Sequence, residues 1–187
     1  MTFPTVAPYP FDTYDHVPNA EMKFELTSPD FNDGDGLPPP QRSGRLGVPE
    51  GKDISPELVW KGAPPETKSF VVTCYDPDAP VVSGIWHWVM YDIPATTTSL
   101  VADAGNEDGL KLPESAKVLR NDAGSQGYVG AAAPASHVNH RYIFCVTAMA
   151  TESLPGVTED TSPAWLHGRM NRAGILGRGF LTAVIGR

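Results

Sequence analysis

Hydrophobic and polar positions along this chain mark several short segments that are typical of β-strands. In the segment MKFELTS (22–28), Met22, Phe24 and Leu26 fall on one face, which predicts a half-exposed strand. Three longer segments are almost continuously apolar and rich in β-branched and aromatic residues: 69–76, 85–93 and 140–150. Such runs are typical of strands covered on both faces, so these three segments are expected to form the centre of a sheet.

One segment carries helix signals at both of its ends. In SPAWLHGRMNRAG (162–174), Ser162 suits the N-cap, Pro163 the first helical position and Gly174 the C-terminal stop. GFLTAVIG (179–186) then predicts a last strand. One helix beside about six to eight strands indicates a mainly β protein.

Length and composition fit one globular domain. The 187 residues are enough for a single core, and we assign 1–187 to one domain with residues 1–20 as an extended N-terminal arm that contains four prolines. The 18 glycines and 19 prolines are scattered, which predicts many turns between short strands. We find no internal repeat.

Charge and cysteine content narrow the class of function. A net charge of −8 argues against nucleic-acid binding and against coating of anionic membranes, since both need a basic face, but it permits a local anion pocket. The sequence predicts no secretory signal and no membrane span. Cys74 and Cys145 lie in apolar segments, which predicts buried free thiols and a cytoplasmic location.

Ionisable residues cluster at the ends of the predicted central strands. The turn Asp76-Pro77-Asp78-Ala79-Pro80 holds two carboxylates in a stiff backbone, and its Ala79–Pro80 bond is a candidate cis peptide. A rigid turn of this kind needs partners for its charges. His140-Arg141-Tyr142 opens another strand, where Arg141 could bind a carboxylate in bidentate fashion.

Two further features belong to the same group. On a regular strand, His87 shares a face with Val89 and Tyr91, while Trp86 and Trp88 point the other way. The small-residue loop GYVGAAAP (127–134) could bring backbone amides close to a ligand. Each feature alone is typical of ordinary turns and cores, but together they predict a polar pocket.

As a set, these segments resemble the phosphatidylethanolamine-binding protein family, and especially its bacterial, Raf-kinase-inhibitor-like branch. The matching stretches cover more than half of the chain: SPELVWKGAPPETKSFVVTCYDPDAP (55–80), WHWVMYDIP (86–94), GYVGAAAP (127–134) and HRYIFCVTAM (140–149). The resemblance implies a large central antiparallel sheet, a smaller second sheet and short helices near the C-terminus. It also implies a homodimer.

The resemblance further implies a pocket for phosphate, acetate or a phosphorylethanolamine-like headgroup, with no cofactor and no metal. The residues that it places against the ligand are Asp76, His87, Ala132, His140 and Tyr142. The residues that it places behind them are Asp78, Pro80, Trp86, Tyr128 and Arg141. The chain departs from the family where the loop usually has Gly and paired Pro, because it reads Gly130-Ala131-Ala132-Ala133-Pro134 and continues with ASHVN (135–139). Both differences affect the expected ligand size.

Charge arguments add two expectations about the pocket. Asp76 beside His87 should favour the imidazolium form, and the carboxylate should exclude dianions in favour of monoanions, protonated phosphates or zwitterions. Asp78→Ala should cost about 3–5 kcal/mol if Asp78 is buried against Arg141. Asp76→Ala should instead spare stability and change ligand choice.

Three functions are compatible with these residues. The first is a non-enzymatic ligand-binding and regulatory protein, because GSQG (124–127) is not a nucleophile elbow and no His-Glu-x-x-His motif occurs. The second is a metal-dependent or acid/base hydrolase that would use Asp76, Asp78, His87, His137 and His140. The third is a protein-interaction module that inhibits a kinase or protease, with a target that the sequence does not identify.

Overall fold

The computed structural model describes residues 22–134 and 138–185. The predicted arm at 1–20 lies outside these residues. The described part contains eight strands, one α-helix and one short 3₁₀ helix. The strands are β1 (Glu25–Thr27), β2 (Leu58–Lys61), β3 (Ser69–Asp76), β4 (Ile85–Pro94), β5 (Ser99–Leu100), β6 (Lys117–Val118), β7 (His140–Met149) and β8 (Ile175–Ile185), and the helices are α1 (Pro163–Ala173) and the 3₁₀ helix Pro39–Gln41.

The strands form two antiparallel sheets. The larger sheet has the order β6–β4–β3–β7–β8, and the smaller has the order β1–β2–β5. The predicted mainly β class with a large and a small sheet is therefore confirmed. The central strand β3 has the predicted bounds, whereas β8 begins at Ile175, four residues before the predicted start.

The larger sheet is covered on both faces, as its apolar sequence predicts. One face packs against the smaller sheet through residues that include Trp60, Phe70, Trp88 and Phe144. The other face is covered by apolar residues of α1, chiefly Leu166 and Met170. No helix in the described ranges is both long and apolar enough to cross a membrane.

The helix α1 begins and ends where its sequence signals predict. The Ser162 hydroxyl accepts a hydrogen bond from the backbone N–H of Trp165 at 3.2 Å, which satisfies one of the free amides of the first turn. Gly174 ends the helix with a φ of 93°, a value that side chains disfavour.

A β-bulge interrupts the alternation of β4. Cys74 pairs with Trp88 while Tyr75 pairs with Trp86, which leaves His87 as the extra residue of the bulge. His87 and Trp88 consequently lie on the Tyr142 side of the sheet, and Trp86 packs on the other side with Val89. The prediction that His87 shares a face with Val89 and Tyr91 is wrong for this reason.

Antiparallel pairing brings three strand ends to one edge of the larger sheet. The carboxyl end of β3 lies between the amino ends of β4 and β7, because both neighbours run opposite to it. Asp76, His87 and His140 are thereby brought together from three separate parts of the sequence.

Candidate functional site

Asp76 is the most constrained carboxylate of the site. It is the last residue of β3, and only 2% of its surface is exposed. Its Oδ2 accepts a hydrogen bond from His140 Nδ1 at 2.7 Å, and its Oδ1 accepts one from the backbone N–H of Asp78 at 2.9 Å. The direct partner of Asp76 is therefore His140, and not His87 as the sequence suggested.

His87 presents one unpartnered nitrogen at the site. Its Nδ1 lies 2.8 Å from the backbone oxygen of Val129. A carbonyl can only accept, so the hydrogen is on Nδ1, and Nε2 of the neutral ring carries a lone pair. This Nε2 is buried and has no hydrogen-bond partner within the described ranges.

The charge state of His87 differs from the sequence expectation. Burial lowers the pKa of the His87 imidazole below its ordinary value, and it outweighs the opposing effects of the Val129 carbonyl and the Asp76 carboxylate. The predicted preference for imidazolium is wrong, because the ring is nearly fully desolvated while its nearest hydrogen-bond partner is a neutral carbonyl.

Tyr142 completes the polar cluster. Its ring meets the His87 ring edge-on at 5.0 Å between centroids and stacks on the His140 ring at 6.5 Å. Burial and the nearby Asp76 charge raise the pKa of the Tyr142 phenol, and a hydrogen bond with the Ala132 backbone opposes them only in part. The phenol therefore keeps its proton at neutral pH, and a side-chain hydrogen bond links it to the Asp76 carboxylate.

The small-residue loop is fixed in place beside these side chains. The Tyr128 hydroxyl donates to the Gln41 carbonyl at 2.8 Å, and the Gly130 N–H donates to Asp53 Oδ1 at 2.8 Å. A Cβ on Gly130 would overlap the backbone of Arg42, so only glycine fits there. The loop thus holds half-buried Ala132 next to Tyr142.

Asp53 is a supporting residue that the sequence analysis missed. Burial raises the pKa of its carboxyl, but hydrogen bonds from the Gly130 and Arg45 amides and from Ser43, with the Arg45 charge, together leave the pKa lowered. Its Oδ2 accepts the Arg45 amide at 2.9 Å. Asp53 lies far from the loop in sequence and in no recognisable motif, so no local signal could have identified it.

The predicted pair between Asp78 and Arg141 is present. Arg141 Nε lies 2.7 Å from Oδ2 and Nη2 lies 2.9 Å from Oδ1, so the contact is bidentate. The Arg141 backbone N–H adds a third hydrogen bond to Oδ2 at 3.0 Å. The two side chains are 21% and 35% exposed, however, so Asp78 is less buried than the stability prediction assumed.

The other predicted residues lie around the site in different ways. Pro80 is exposed, and the Ala79–Pro80 bond is trans, so the cis prediction is wrong. Trp86 packs between Tyr75 and His167 on the opposite face of the sheet, with centroid distances of 4.3 Å and 4.9 Å, because the bulge turns it away from the site. It supports β4 rather than the pocket.

The hydrolase hypothesis depended in part on His137, which lies outside the described residues. Among residues 22–134 and 138–185, no three His, Cys, Asp or Glu side chains are grouped as metal ligands. Cys74 and Cys145 are both free and buried.

Fold and site together define a small β protein with a polar cluster at one edge of its larger sheet. Residues 27–184 match the family model described as phosphatidylethanolamine-binding protein. The chain therefore belongs to the phosphatidylethanolamine-binding protein family.

Similar proteins span most of the chain. YbcL of Escherichia coli strain K12 is 43% identical over 161 residues, which are 86% of each protein. Its crystal structure, described as a new member of the mammalian PEBP family, matches with a TM-score of 0.82 over 88% of this chain and 98% of that one. YbhB of the same organism is 47% identical over 132 residues, 70% of this chain and 81% of its own. A phosphatidylethanolamine-binding protein from Plasmodium vivax, 15% identical with a TM-score of 0.56 over 91% of this chain and 90% of that one, shares the fold alone.

Proposed function

We propose that this protein is a non-enzymatic binding protein for small anionic or zwitterionic ligands such as phosphate, acetate or a phosphorylethanolamine-like headgroup. The observation that carries the proposal is the buried, unpartnered Nε2 of His87, which lies beside the phenol of Tyr142. An unsatisfied buried polar atom is rare in folded proteins, and a ligand atom would give it a partner.

The polar groups of the candidate site distinguish ligands by the protonation state of the ligand. Tyr142 keeps its hydrogen and shares it with Asp76, so a ligand oxyanion would replace that carboxylate as the acceptor. Neutral His87 can accept a hydrogen bond at Nε2, so it favours a ligand oxygen that is itself protonated. The Asp76 carboxylate disfavours a bare dianion. A monoprotonated phosphate group satisfies all three conditions, and a cation on the same ligand, as in phosphorylethanolamine, would add an attraction to Asp76.

Calorimetric titration tests this assignment. Inorganic phosphate and phosphorylethanolamine are titrated into the wild type, His87→Ala and the control His167→Ala, which alters a histidine on the opposite face of the sheet. We expect His87→Ala to weaken binding by about tenfold or more, the value of one hydrogen bond to a charged ligand, and the control to bind as the wild type does. Equal affinity in all three proteins would remove His87 from the role.

A regulatory role, similar to inhibition of a kinase or protease, is the wider function that we infer from membership of the family. Two observations support it. The sequence has no recognised catalytic motif, and a ligand bound at the candidate site could change the protein surface that a partner contacts. The inference predicts a protein partner whose capture depends on the pocket. A partner retained equally by the wild type and by His87→Ala would separate protein binding from ligand binding.

Location and assembly are further parts of the proposal. A cytoplasmic location is supported by Cys74 and Cys145, which remain free thiols on opposite faces of the larger sheet. A homodimer is inferred from the family resemblance. Cell fractionation and light scattering test the two inferences separately.

Acid/base hydrolysis is the second candidate function. The hydrogen bond between Asp76 and His140 is the feature that favours it, because a carboxylate on one ring nitrogen orients an imidazole for proton transfer at the other. Turnover of p-nitrophenyl phosphate or p-nitrophenyl acetate that disappears in Asp76→Asn would favour this candidate, and stoichiometric zinc in the purified protein would favour its metal-dependent form.

A further inference from the structure

A cavity lies at the opposite end of β3 from the candidate anion site. Its volume is about 410 Å³, within the range of small-molecule sites, and its floor is formed by Trp60 of β2 and Phe70 of β3. The two rings meet edge-on with centroids 5.3 Å apart. Phe70 is six positions from Asp76 along the strand, a separation of roughly 20 Å.

The rims of this cavity are preformed turns. The turn at 64–67 is closed by a hydrogen bond from the Thr67 N–H to the Pro64 carbonyl at 3.0 Å, and the Thr67 hydroxyl donates to the same carbonyl at 2.6 Å. The facing turn at 94–97 is closed by a bond from the Thr97 N–H to the Pro94 carbonyl at 2.9 Å. Rigid rims lower the ordering cost of binding.

The lining of the cavity indicates the chemistry of its ligand. Pro65 and Ala95 add exposed apolar surface beside the aromatic floor. Lys61 is the only ionisable residue among those that line the cavity, although the chain as a whole has 22 acidic and 14 basic residues. Within the described ranges, Lys61 forms no ion pair.

Trp60 adds a polar group under the same floor. Its indole Nε1 is buried and has no hydrogen-bond partner in the described part of the chain. The ring is 1% exposed, so a ligand oxygen would reach this unpaired donor only if the indole moved towards the cavity.

We propose that this cavity is a second binding site, specific for a small aromatic carboxylate. The flat ring of such a ligand would lie against the exposed Pro65 and Ala95 and would cover the small accessible edges of Trp60 and Phe70, which are 1% and 3% exposed. Its carboxylate would lie towards Lys61, so the acid is preferred over its neutral amide. The site is independent of the His87 pocket.

The proposal is tested with phenylacetate and phenylacetamide, an anion and its neutral analogue of similar shape. Binding is followed in the full chain by the assigned indole N–H resonances of its four tryptophans. We expect phenylacetate to shift the Trp60 resonance saturably, and phenylacetamide to bind roughly tenfold more weakly, because it lacks a charge for Lys61.

Three variants make the result specific. Ala95→Phe fills the exposed rim and should abolish the shift, whereas the matched control Ala123→Phe, at an exposed position outside the cavity, should preserve it. Lys61→Gln should remove the preference for the acid and keeps the proposal testable if Ala95→Phe unfolds. No saturable shift, or a shift that survives Ala95→Phe, would overturn the proposal.

The experiment also separates this site from the proposed function. Phenylacetate binding should be unchanged in His87→Ala and unaffected by saturating inorganic phosphate. Displacement of phenylacetate by phosphate would assign both ligands to the His87 pocket and would overturn the second site without affecting the first.

Discussion

At the scale of residues, the two carboxylates of the 76–78 turn differ in their access to water. The Asp76 side chain is 2% exposed and bonded to His140, whereas the Asp78 side chain is 21% exposed and bonded to Arg141. A buried hydrogen-bonded charge is costlier to disrupt than a partly solvated one, since water can replace the lost partner only in the second case.

The stability cost of removing these carboxylates should therefore follow burial. We expect Asp76→Ala to lower the free energy of unfolding by about 2–4 kcal/mol. Asp78→Ala should lower it by about 1–2 kcal/mol, because solvent screens the Arg141 pair. Urea denaturation measures both. This order reverses the one predicted from the sequence, and a larger loss in Asp78→Ala would contradict it.

Ligand affinity should depend on pH through the proton of the ligand. The pKa of His87 is lowered by burial, so the ring is neutral at pH 7 and Nε2 cannot donate to an anion. A phosphate monoester loses its second proton near pH 6, so affinity for phosphorylethanolamine should fall as pH rises from about 6 to 8. Acetate carries no proton between pH 6 and 8, so it cannot donate to His87. We expect measurable acetate binding only below the ordinary pKa of histidine, where the His87 ring becomes protonated. Calorimetry at several pH values tests both, and a pH-independent affinity for phosphorylethanolamine would exclude this role of His87.

At the scale of elements, α1 depends on its N-cap. The Ser162 hydroxyl is the side chain that satisfies the Trp165 N–H, and the helix covers one face of the larger sheet. We expect Ser162→Ala to lower the free energy of unfolding by about 1 kcal/mol. Ser162→Asp is the matched control, since aspartate also caps helices and should retain the stability that alanine loses.

The packing of α1 on the sheet should also be sensitive to acid. His167 lies under Trp86, and burial together with the charge of Arg178 lowers its pKa to about 4. Between about pH 6.5 and 4, the unfolded chain binds a proton that the folded chain excludes, so stability is full above this window and falls through it as pH decreases. Urea midpoints at several pH values should fall less steeply for His167→Gln than for the wild type. A residual slope is expected from His87, whose pKa shifts in the same direction.

The bulge in β4 shows that a sequence can predict where a strand lies without predicting which face each side chain occupies. Apolar composition predicted the strand over 85–93 and the structure has it over Ile85–Pro94. Alternation within the strand was predicted wrongly at His87, because an inserted residue reverses the faces that follow it, here as far as a second irregularity between Met90 and Ile93. No turn residue or charge marks that insertion.

At the scale of the whole molecule, the order of the strands brings the residues of the candidate site together. Asp76, His87 and His140 were each identifiable as strand-end residues from the sequence, and the family resemblance joined them. Their partners were not identifiable: Asp76 binds His140, His87 binds Val129, and Asp53 fixes the loop from a distant turn. The cavity beside Trp60 and Phe70 likewise joins two turns from separate connections of the chain.

The sequence by itself determined the mainly β class, the three central strands, the capped helix and the ionisable residues of the candidate site. These follow from local forces, namely side-chain periodicity, capping and the backbone limits of proline and glycine. Only the tertiary structure decided which groups meet, which of them lose water and hence which carry shifted pKa values. Burial and pairing depend on atoms from all strands at once, so no single segment encodes them.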